Sequence, residues 1–189
     1  VDLAADPVRA KAGLGFIPDR PFIYEKLTGM EFLRFVAGLY DQTGPGVEHR
    51  ARELLALFDL EAWQNELVES YSHGMRQKLI ISSAFVHRPA AIVVDEPMVG
   101  LDPKAARILK DLFREYTRRG HTIIFSTHTL EVAESLCDRL AIIAGGRIRA
   151  VGTMDDLRGA PGAGRGLEEI FLRLTGEQAA RNLVDVLDA

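Results

Sequence analysis

The spacing of apolar residues divides the chain into a helical part and a part in which strands and helices alternate. Over residues 20–88, apolar positions recur every three to four residues, as they do on the buried face of an amphipathic helix. Thr28 and Glu31 have the spacing of a capping box at the start of one such segment. The pattern predicts helices over residues 28–40, 50–59 and 72–87, and the first is expected to bury Phe32, Leu33, Val36, Leu39 and Tyr40.

Three turn and strand signals complete this first half. Residues 1–12 offer neither a signal peptide nor a capped helix, and residues 14–17 read as a strand. The Gly44-Pro45-Gly46 segment is predicted to break the chain between the first two helices. The helical part therefore follows a strand.

From residue 90 onward, short apolar runs bounded by turns alternate with helical segments. Residues 91–94 form a β-branched run of the kind that is buried on both faces in a parallel sheet. Gly145-Gly146 is a hairpin turn between the last two runs. This order predicts an α/β fold with a parallel core and an antiparallel edge hairpin. The predicted strands cover residues 91–94, 122–126, 139–144 and 147–151, and the predicted helices cover residues 104–119 and 129–137.

The C-terminal segment carries three further signals. Thr153 and Asp156 cap a short helix, and the glycine-rich residues 159–166 are predicted to form a flexible linker. Residues 167–189 are predicted to form a helical tail.

Composition excludes several classes of protein. Hydrophobic residues make up 47% of the 189 residues and charged residues 26%, which is ordinary for a folded globular chain. The 23 basic and 27 acidic residues give a net charge of -4, so we expect no nucleic acid partner. The lone Cys137 and the absence of an export signal fit a cytosolic protein. Because no apolar run is long enough to span a bilayer, any membrane connection is expected to come through a partner.

The sequence Ile92-Val93-Val94-Asp95-Glu96 places two carboxylates directly after a predicted buried strand. Ligands of open α/β sheets bind at the carboxyl ends of the strands. One carboxylate there can hold Mg²⁺ through its water shell while its neighbour polarises an attacking water. The alternative is that this pair is only a polar strand end.

Two other positions add to this chemistry. His128 follows another predicted strand, where its imidazole could donate a hydrogen bond to a terminal phosphate, although a structural or solvated histidine is the common alternative. Ser72 and Gly74 open a helix whose N-terminus could bind an anion, and the alternative is an ordinary serine N-cap.

Together these segments resemble the nucleotide-binding subunits of ABC transporters. Four segments match the family's motifs in order and spacing: the signature at residues 71–77, Walker B with its catalytic glutamate at 92–96, the D-loop at 100–103 and the switch histidine, His128. Residues 27–31 and 167–176 resemble the exporter-type branch, in which the ATPase pairs with a separate permease.

The resemblance implies a P-loop NTPase-like (RecA-like) fold, with an incomplete parallel sheet core and an inserted α-helical subdomain. It divides the chain into residues 1–19, a partial ATPase core with the Q-loop strand, and 20–88, the helical subdomain with the signature. Residues 89–152 would be ATPase core, and 153–189 a linker and helical tail.

The resemblance also implies roles for residues toward ATP and Mg²⁺. Asp95 would hold Mg²⁺, Glu96 would act as general base toward water, and His128 would contact the γ-phosphate. Ser72 and Gly74 would act in trans on the ATP of a second ATP-binding subunit, in a homo- or heterodimer.

Two more residues complete the set of implied site residues. Asp102 would link the two nucleotide sites across the dimer interface. Asp19 stands at the position of the family's Q-loop glutamine, among the residues expected at the cofactor and the metal. It keeps an oxygen for magnesium or water, but it is shorter and charged.

The partner implied by the family is a transmembrane permease. The helical region, residues 20–88, would dock the cytoplasmic helices of this permease, with Phe22 and Tyr24 as an exposed aromatic lead-in. The protein would then be cytoplasmic and peripheral on the inner face of the cell membrane.

Besides Asp19, the sequence departs from the family in the signature and in the phosphate loop. His73 replaces the first glycine of the signature and Met75 its glutamine. No Gly-x-x-x-x-Gly-Lys-Ser/Thr phosphate loop occurs, and the glycines of residues 159–166 lack its lysine and hydroxyl. We therefore expect a fragment that starts after the loop, has negligible ATPase activity alone and self-associates through exposed sheet edges.

Two other classes of protein stay open at this point. One is the related ATPase head of DNA-maintenance proteins, although the chain lacks sustained heptads and a basic face. The other is a non-catalytic regulatory interaction module, which the retention of both Asp95 and Glu96 disfavours.

Overall fold

The protein is described by a computed structural model that covers residues 2–20, 22–159 and 166–175. The chain divides into two compact units, one ending at Ser126 and the other beginning at Thr127. The first unit contains a parallel sheet and the helical region, and the second contains a hairpin with three helices.

The first unit begins with a short helix that the sequence reading did not predict. Helix α1 spans Pro7–Ala12, and strand β1 follows at Leu14–Ile17. The Asp6 side chain accepts a hydrogen bond of 3.0 Å from the Arg9 amide, and Pro7 occupies the first turn. The expectation that this segment has no capped helix was therefore wrong, because an aspartate before a proline is a capped start.

The helical region has the three helices that the apolar spacing predicts. The Thr28 and Glu31 capping box forms as predicted, with both reciprocal hydrogen bonds present. Ser72 caps the third helix, also as predicted. The helices are α2 at Gly29–Leu39, α3 at Pro45–Leu57 and α4 at His73–Val86, with short 3₁₀ turns at Glu61–Trp63 and Val68–Ser70.

Two details of these helices differ from the prediction. Helix α3 starts at Pro45, inside the predicted break, because proline fits the first helical turn, where its missing N–H is not needed. On α2, Phe32 and Leu33 are buried as predicted, but Leu39 in the last turn is exposed.

Strands β1, β2 and β3 form the parallel sheet of the first unit. Strand β2 spans Ala91–Asp95 and lies between β1 and β3, which spans Thr122–Ser126. Helix α5, at Pro103–Arg118, makes the crossover from β2 to β3. The predicted parallel core is present.

This sheet is buried on one face only. Ile17 and Val94 lie side by side on the inner face and are fully buried there. On the outer face Phe16, Val93 and Ile124 are paired in register and are 59%, 37% and 62% exposed. The prediction that β2 is buried on both faces is wrong for the described chain, because helices α4 and α5 both pack on one side of the sheet.

Within its described residues, 127–159 and 166–175, the second unit packs a hairpin against three helices. Its core contains Ala133, Leu140, Ile142, Leu157, Leu167 and Ile170. The elements are α6 at Leu130–Leu136, β4 at Leu140–Ala144, β5 at Arg147–Gly152, α7 at Met154–Gly159 and α8 at Leu167–Thr175.

The hairpin pairs as predicted but does not extend the parallel sheet. Among the described strands, β4 and β5 form a two-stranded sheet of their own, so the predicted edge position is wrong. The Gly145-Gly146 turn predicts that these two strands pair with each other, but it does not predict whether either also pairs with a strand of the parallel sheet. Thr153 and Asp156 cap α7 reciprocally as predicted, whereas most of the predicted linker and the end of the predicted tail lie outside the described residues.

Candidate functional site

The carboxyl ends of the three parallel strands bring two acidic positions to one edge of the sheet. Ile17, the last residue of β1, pairs with Val94, and Asp95 at the end of β2 pairs with Ser126 at the end of β3. Asp19 follows β1 by two residues. This edge is where open α/β sheets bind their ligands.

Asp95 is the carboxylate at the end of the central strand. Its Oδ1 accepts a hydrogen bond of 2.5 Å from the Ser126 hydroxyl, which fixes the orientation of the carboxylate across the strand pair. Within the described residues, no group of three or more His, Cys, Asp or Glu side chains is placed to hold a metal ion. Magnesium in phosphate sites takes only one or two carboxylates beside phosphates and waters, so an oriented Asp95 fits that ion.

Glu96 adopts an unusual backbone conformation. Its φ is +49°, in the left-handed region that costs a non-glycine residue about 1–3 kcal/mol. Its amide donates a hydrogen bond of 3.0 Å to the Ser126 carbonyl, so the strained residue is tied to the end of β3. Positive φ values also occur at Asp41, Asp59 and Arg88. What distinguishes Glu96 is its position at the carboxyl end of the central strand. The pattern of apolar and polar residues does not predict this conformation of Glu96.

Ser72 and Gly74 open helix α4, as the signature resemblance requires. The Ser72 hydroxyl accepts a hydrogen bond of 3.3 Å from the Met75 amide, so the ordinary N-cap is present. Accepting this bond leaves the hydroxyl proton available as a donor. At Gly74, an added Cβ would lie 3.2 Å from the Gly100 carbonyl oxygen, which shows how closely this helix start approaches the loop after Glu96.

A network of hydrogen bonds holds the residues just before α4. The Tyr71 hydroxyl donates to the Trp63 carbonyl at 2.6 Å, and burial, with a smaller contribution from Glu66, raises the pKa of Tyr71 to about 12. The Arg76 guanidinium donates to the Glu25 carboxylate at 2.7 Å and to the Tyr71 carbonyl at 3.1 Å. The start of α4 is thus held in place by residues distant in sequence.

Asp102 makes two contacts within its own chain. Its Oδ1 accepts a hydrogen bond of 2.8 Å from the Ala105 amide and so caps α5, and its Oδ2 lies 2.8 Å from Lys78 Nζ. The Lys78 ammonium, followed by the Ala105 amide, holds the pKa of the Asp102 carboxyl below its usual range. The link across a dimer interface stays a prediction.

Sequence reasoning missed Lys78, the partner of Asp102. The two residues are 24 positions apart in sequence, and neither helix periodicity nor a motif pairs them. The only available signal was that Lys78 and Gly74 lie four apart and therefore share one face of α4.

His128 comes after strand β3 in the sequence and belongs to the second unit. It is exposed and follows the end of β3 by two residues. Its convergence with Asp95 and Glu96 on one phosphate stays a prediction.

The aromatic residues that precede α2 are exposed, as predicted. The rings of Phe22 and Tyr24 stack edge to face at 6.1 Å between centroids, and Tyr24 packs in the same way against Phe35 at 5.0 Å. None of the helices in the described part of the chain is long and apolar enough to cross a membrane.

Known proteins are similar to this chain in sequence and in fold. A sequence model of the family described as "AAA domain, putative AbiEii toxin, Type IV TA system" matches residues 32–134. The ABC-type transporter ATP-binding protein EcsA of Bacillus subtilis is 37% identical over 177 residues, which cover 93% of this chain and 72% of EcsA. The fluoroquinolones export ATP-binding protein of Mycobacterium tuberculosis is 38% identical over 148 residues, 78% of this chain and 47% of that protein.

A solved structure agrees with these relatives. It is described as the structure of the ATP binding subunit of an ABC transporter, and it superposes with a TM-score of 0.87 at 38% identity, over 93% of this chain and 73% of that chain. The chain belongs to the ATP-binding proteins of ABC transporters. Its fold is that of the P-loop NTPases, so the resemblance drawn from the motifs is confirmed.

Proposed function

We propose that this chain is the ATP-hydrolysing part of a transporter subunit and that it powers export through a separate permease. The observation that carries the proposal is the acidic pair Asp95-Glu96 at the carboxyl end of the central strand, with Asp95 oriented by Ser126 and Glu96 held in a strained conformation. The export direction is supported by the relative named for fluoroquinolones export.

The proposed reaction transfers the γ-phosphoryl group of ATP to water. The water oxygen bonds to the γ-phosphorus while the bond from that phosphorus to the bridging oxygen of ADP breaks. Glu96 accepts the proton that the attacking water releases, and His128 donates a hydrogen bond to a γ-phosphate oxygen. Asp95 would hold Mg²⁺, with Asp19 as a further oxygen ligand, and the ion would neutralise charge on the phosphates.

The complete site is composite in this proposal. Ser72 and Gly74 contact the ATP of a second ATP-binding subunit, since the N-terminus of a helix of 14 residues favours phosphate. Asp102 lies at the interface between the two ATP-binding subunits. The 189 residues contain no phosphate-loop motif. By themselves they are therefore expected to hydrolyse ATP no faster than a buffer blank.

The permease docks on the helical region in this proposal. The exposed rings of Phe22 and Tyr24 offer an aromatic surface for its cytoplasmic helices. The subunit then lies peripherally on the inner face of the membrane, held there by the permease.

The test is the Glu96→Gln variant of the natural protein that carries this chain. Because glutamine cannot accept the water proton, phosphate release is expected to fall by about 100-fold or more. ATP binding is expected to persist, as measured by equilibrium dialysis with Mg²⁺-ATP. The exposed Glu61→Gln serves as the matched control and should keep the wild-type rate. A wild-type rate in Glu96→Gln would overturn the proposal.

A further inference from the structure

The loop of residues 97–102, which follows Glu96, is fixed at both ends within the first unit. At its start, the Glu96 amide bonds to the end of β3, and the Glu96 carbonyl accepts a hydrogen bond of 3.3 Å from the Val99 amide. At its other end, Asp102 caps α5. The position of Glu96 is therefore coupled to the position of this loop.

The same loop rests on the face of α4 that presents the signature residues. Gly74 approaches the Gly100 carbonyl closely, and Gly100 has a φ of +77°. The His73 imidazole lies against Gly100, since a Cβ added to Gly100 would be 2.7 Å from His73 Nε2. The contact with His73 and the positive φ thus both favour glycine at residue 100. One turn further along α4, Lys78 reaches Asp102.

The Lys78–Asp102 ion pair differs from the exposed pairs of this protein. The Lys78 side chain is only 14% exposed while Asp102 is 51% exposed, so this pair is shielded from water on the lysine side. By contrast, the Lys104–Asp59 pair has a similar distance of 2.6 Å, but its side chains are 69% and 58% exposed. Water screens such an exposed pair, which therefore contributes little.

We propose that Lys78 is a positioning residue. By holding Asp102, it fixes the loop of residues 97–102 on α4. Glu96 therefore keeps a constant position relative to the signature residues Ser72 and Gly74. This inference rests on the proposed ATP hydrolysis. Breaking the pair frees the loop at the end nearest α4. A displacement of about 1 Å at a catalytic group can reduce the rate by as much as 100-fold.

The experiment compares variants of the natural protein that carries this chain, assayed with its permease. Lys78→Met keeps the length of the side chain and removes its charge, and it is expected to lower kcat about tenfold with KM for ATP within about twofold. Lys104→Met removes the control pair and should leave both constants unchanged. Lys78→Arg restores a charge at the same place and is expected to recover most of the activity.

Asp102→Asn supplies a second, independent variant, because asparagine still caps a helix but cannot form the ion pair. It should lower kcat as Lys78→Met does, and the double variant should lose no more than either single one. Circular dichroism and thermal unfolding establish that each variant is folded. If Lys78→Met does not fold, Lys78→Gln takes its place, because Asp102 is also proposed to lie at the contact between the subunits.

Two results would overturn this inference without touching the proposed function. One is a wild-type kcat in both Lys78→Met and Asp102→Asn, while Glu96→Gln is inactive. The other is an equal loss in Lys104→Met. If Glu96→Gln itself hydrolyses ATP normally, it is the proposed function that fails.

Discussion

The helical region and the parallel sheet belong to one unit, yet only the helical region completes its core within the described residues. Its apolar side chains are fully buried at Leu33, Leu55, Phe58 and Leu79, among others. The sheet buries Ile17, Ile92 and Val94 on its inner face and leaves a row of apolar side chains exposed on its outer face. Parallel sheets are ordinarily covered on both faces.

This difference shows what each region needs from its surroundings. Helices α2, α3 and α4 pack against one another, so their apolar faces cover each other. The sheet needs a second layer on its outer face to reach the same burial. The candidate site lies at the edge of this half-covered sheet, whereas the signature lies at the start of a helix with a complete core.

The largest effect is expected from removing the same aromatic ring on the two sides of this comparison. Phe58 is 0% exposed and Phe16 is 59% exposed. Phe58→Ala is expected to lower the free energy of unfolding by about 3–5 kcal/mol through lost burial and a cavity. Phe16→Ala should cost about 1 kcal/mol or less. Urea unfolding followed by circular dichroism measures both. Equal costs would mean that the outer face of the sheet is covered in solution.

A smaller effect is expected where the two regions meet. A Cβ on Gly15 of β1 would lie 2.7 Å from the Ala84 carbonyl of α4 and 3.0 Å from Pro89 Cγ. Gly15→Ala is therefore expected to force the sheet and α4 apart and to lower the free energy of unfolding by about 1–3 kcal/mol. Thermal unfolding checks the sign and size.

Gly38 is the matched control for Gly15→Ala. It lies within α2, and a Cβ there meets nothing within 4 Å. Gly38→Ala should raise the free energy of unfolding by about 0.4–1 kcal/mol, because alanine restricts the unfolded chain and favours a helix. If Gly15→Ala stabilises the protein as Gly38→Ala does, the two regions are not closely packed at this contact.

The same comparison explains which parts of the fold the sequence could predict. Local signals predicted the helices well: Thr28 with Glu31 and Ser72 start helices where they stand. One error came from a residue type that fits two structures. Pro45 was expected in a break between helices, but proline also fits the first turn of a helix and here begins α3. The exposure of Val93 could not be predicted, because a buried-strand pattern does not tell whether a covering layer is present.

The candidate site was predictable to a similar extent. Strand order and direction were enough to place Asp95 at the ligand-binding edge. The conformation of Glu96 and the Lys78–Asp102 pair depend on tertiary contacts between segments distant in sequence. The role of His128 stays a prediction.

The smallest effect is expected from a histidine at the end of the helical region, under mild acid. His87 is 4% exposed, stacks on Tyr40 at 3.6 Å between ring centroids, and places Nε2 3.2 Å from the Leu14 carbonyl of β1. Burial, helped by the positive charge of Arg50 and opposed by the hydrogen bond to Leu14, lowers the pKa of His87 below 6.5 in the folded protein.

The sign of the pH dependence follows from this lowered pKa. Between the folded pKa and the unfolded value of 6.5, the unfolded chain binds more protons at His87 than the folded protein does. The free energy of unfolding is therefore expected to fall as the pH drops below 6.5, until the folded protein is protonated as well. Urea unfolding at a series of pH values between 5 and 7 should show a shallower decline in His87→Gln, which keeps a donor for Leu14 but does not titrate. The exposed His49→Gln is the control and should leave the pH dependence of the free energy of unfolding unchanged. If this pH dependence is the same in His87→Gln and in wild type, the junction between helix and sheet is in contact with water.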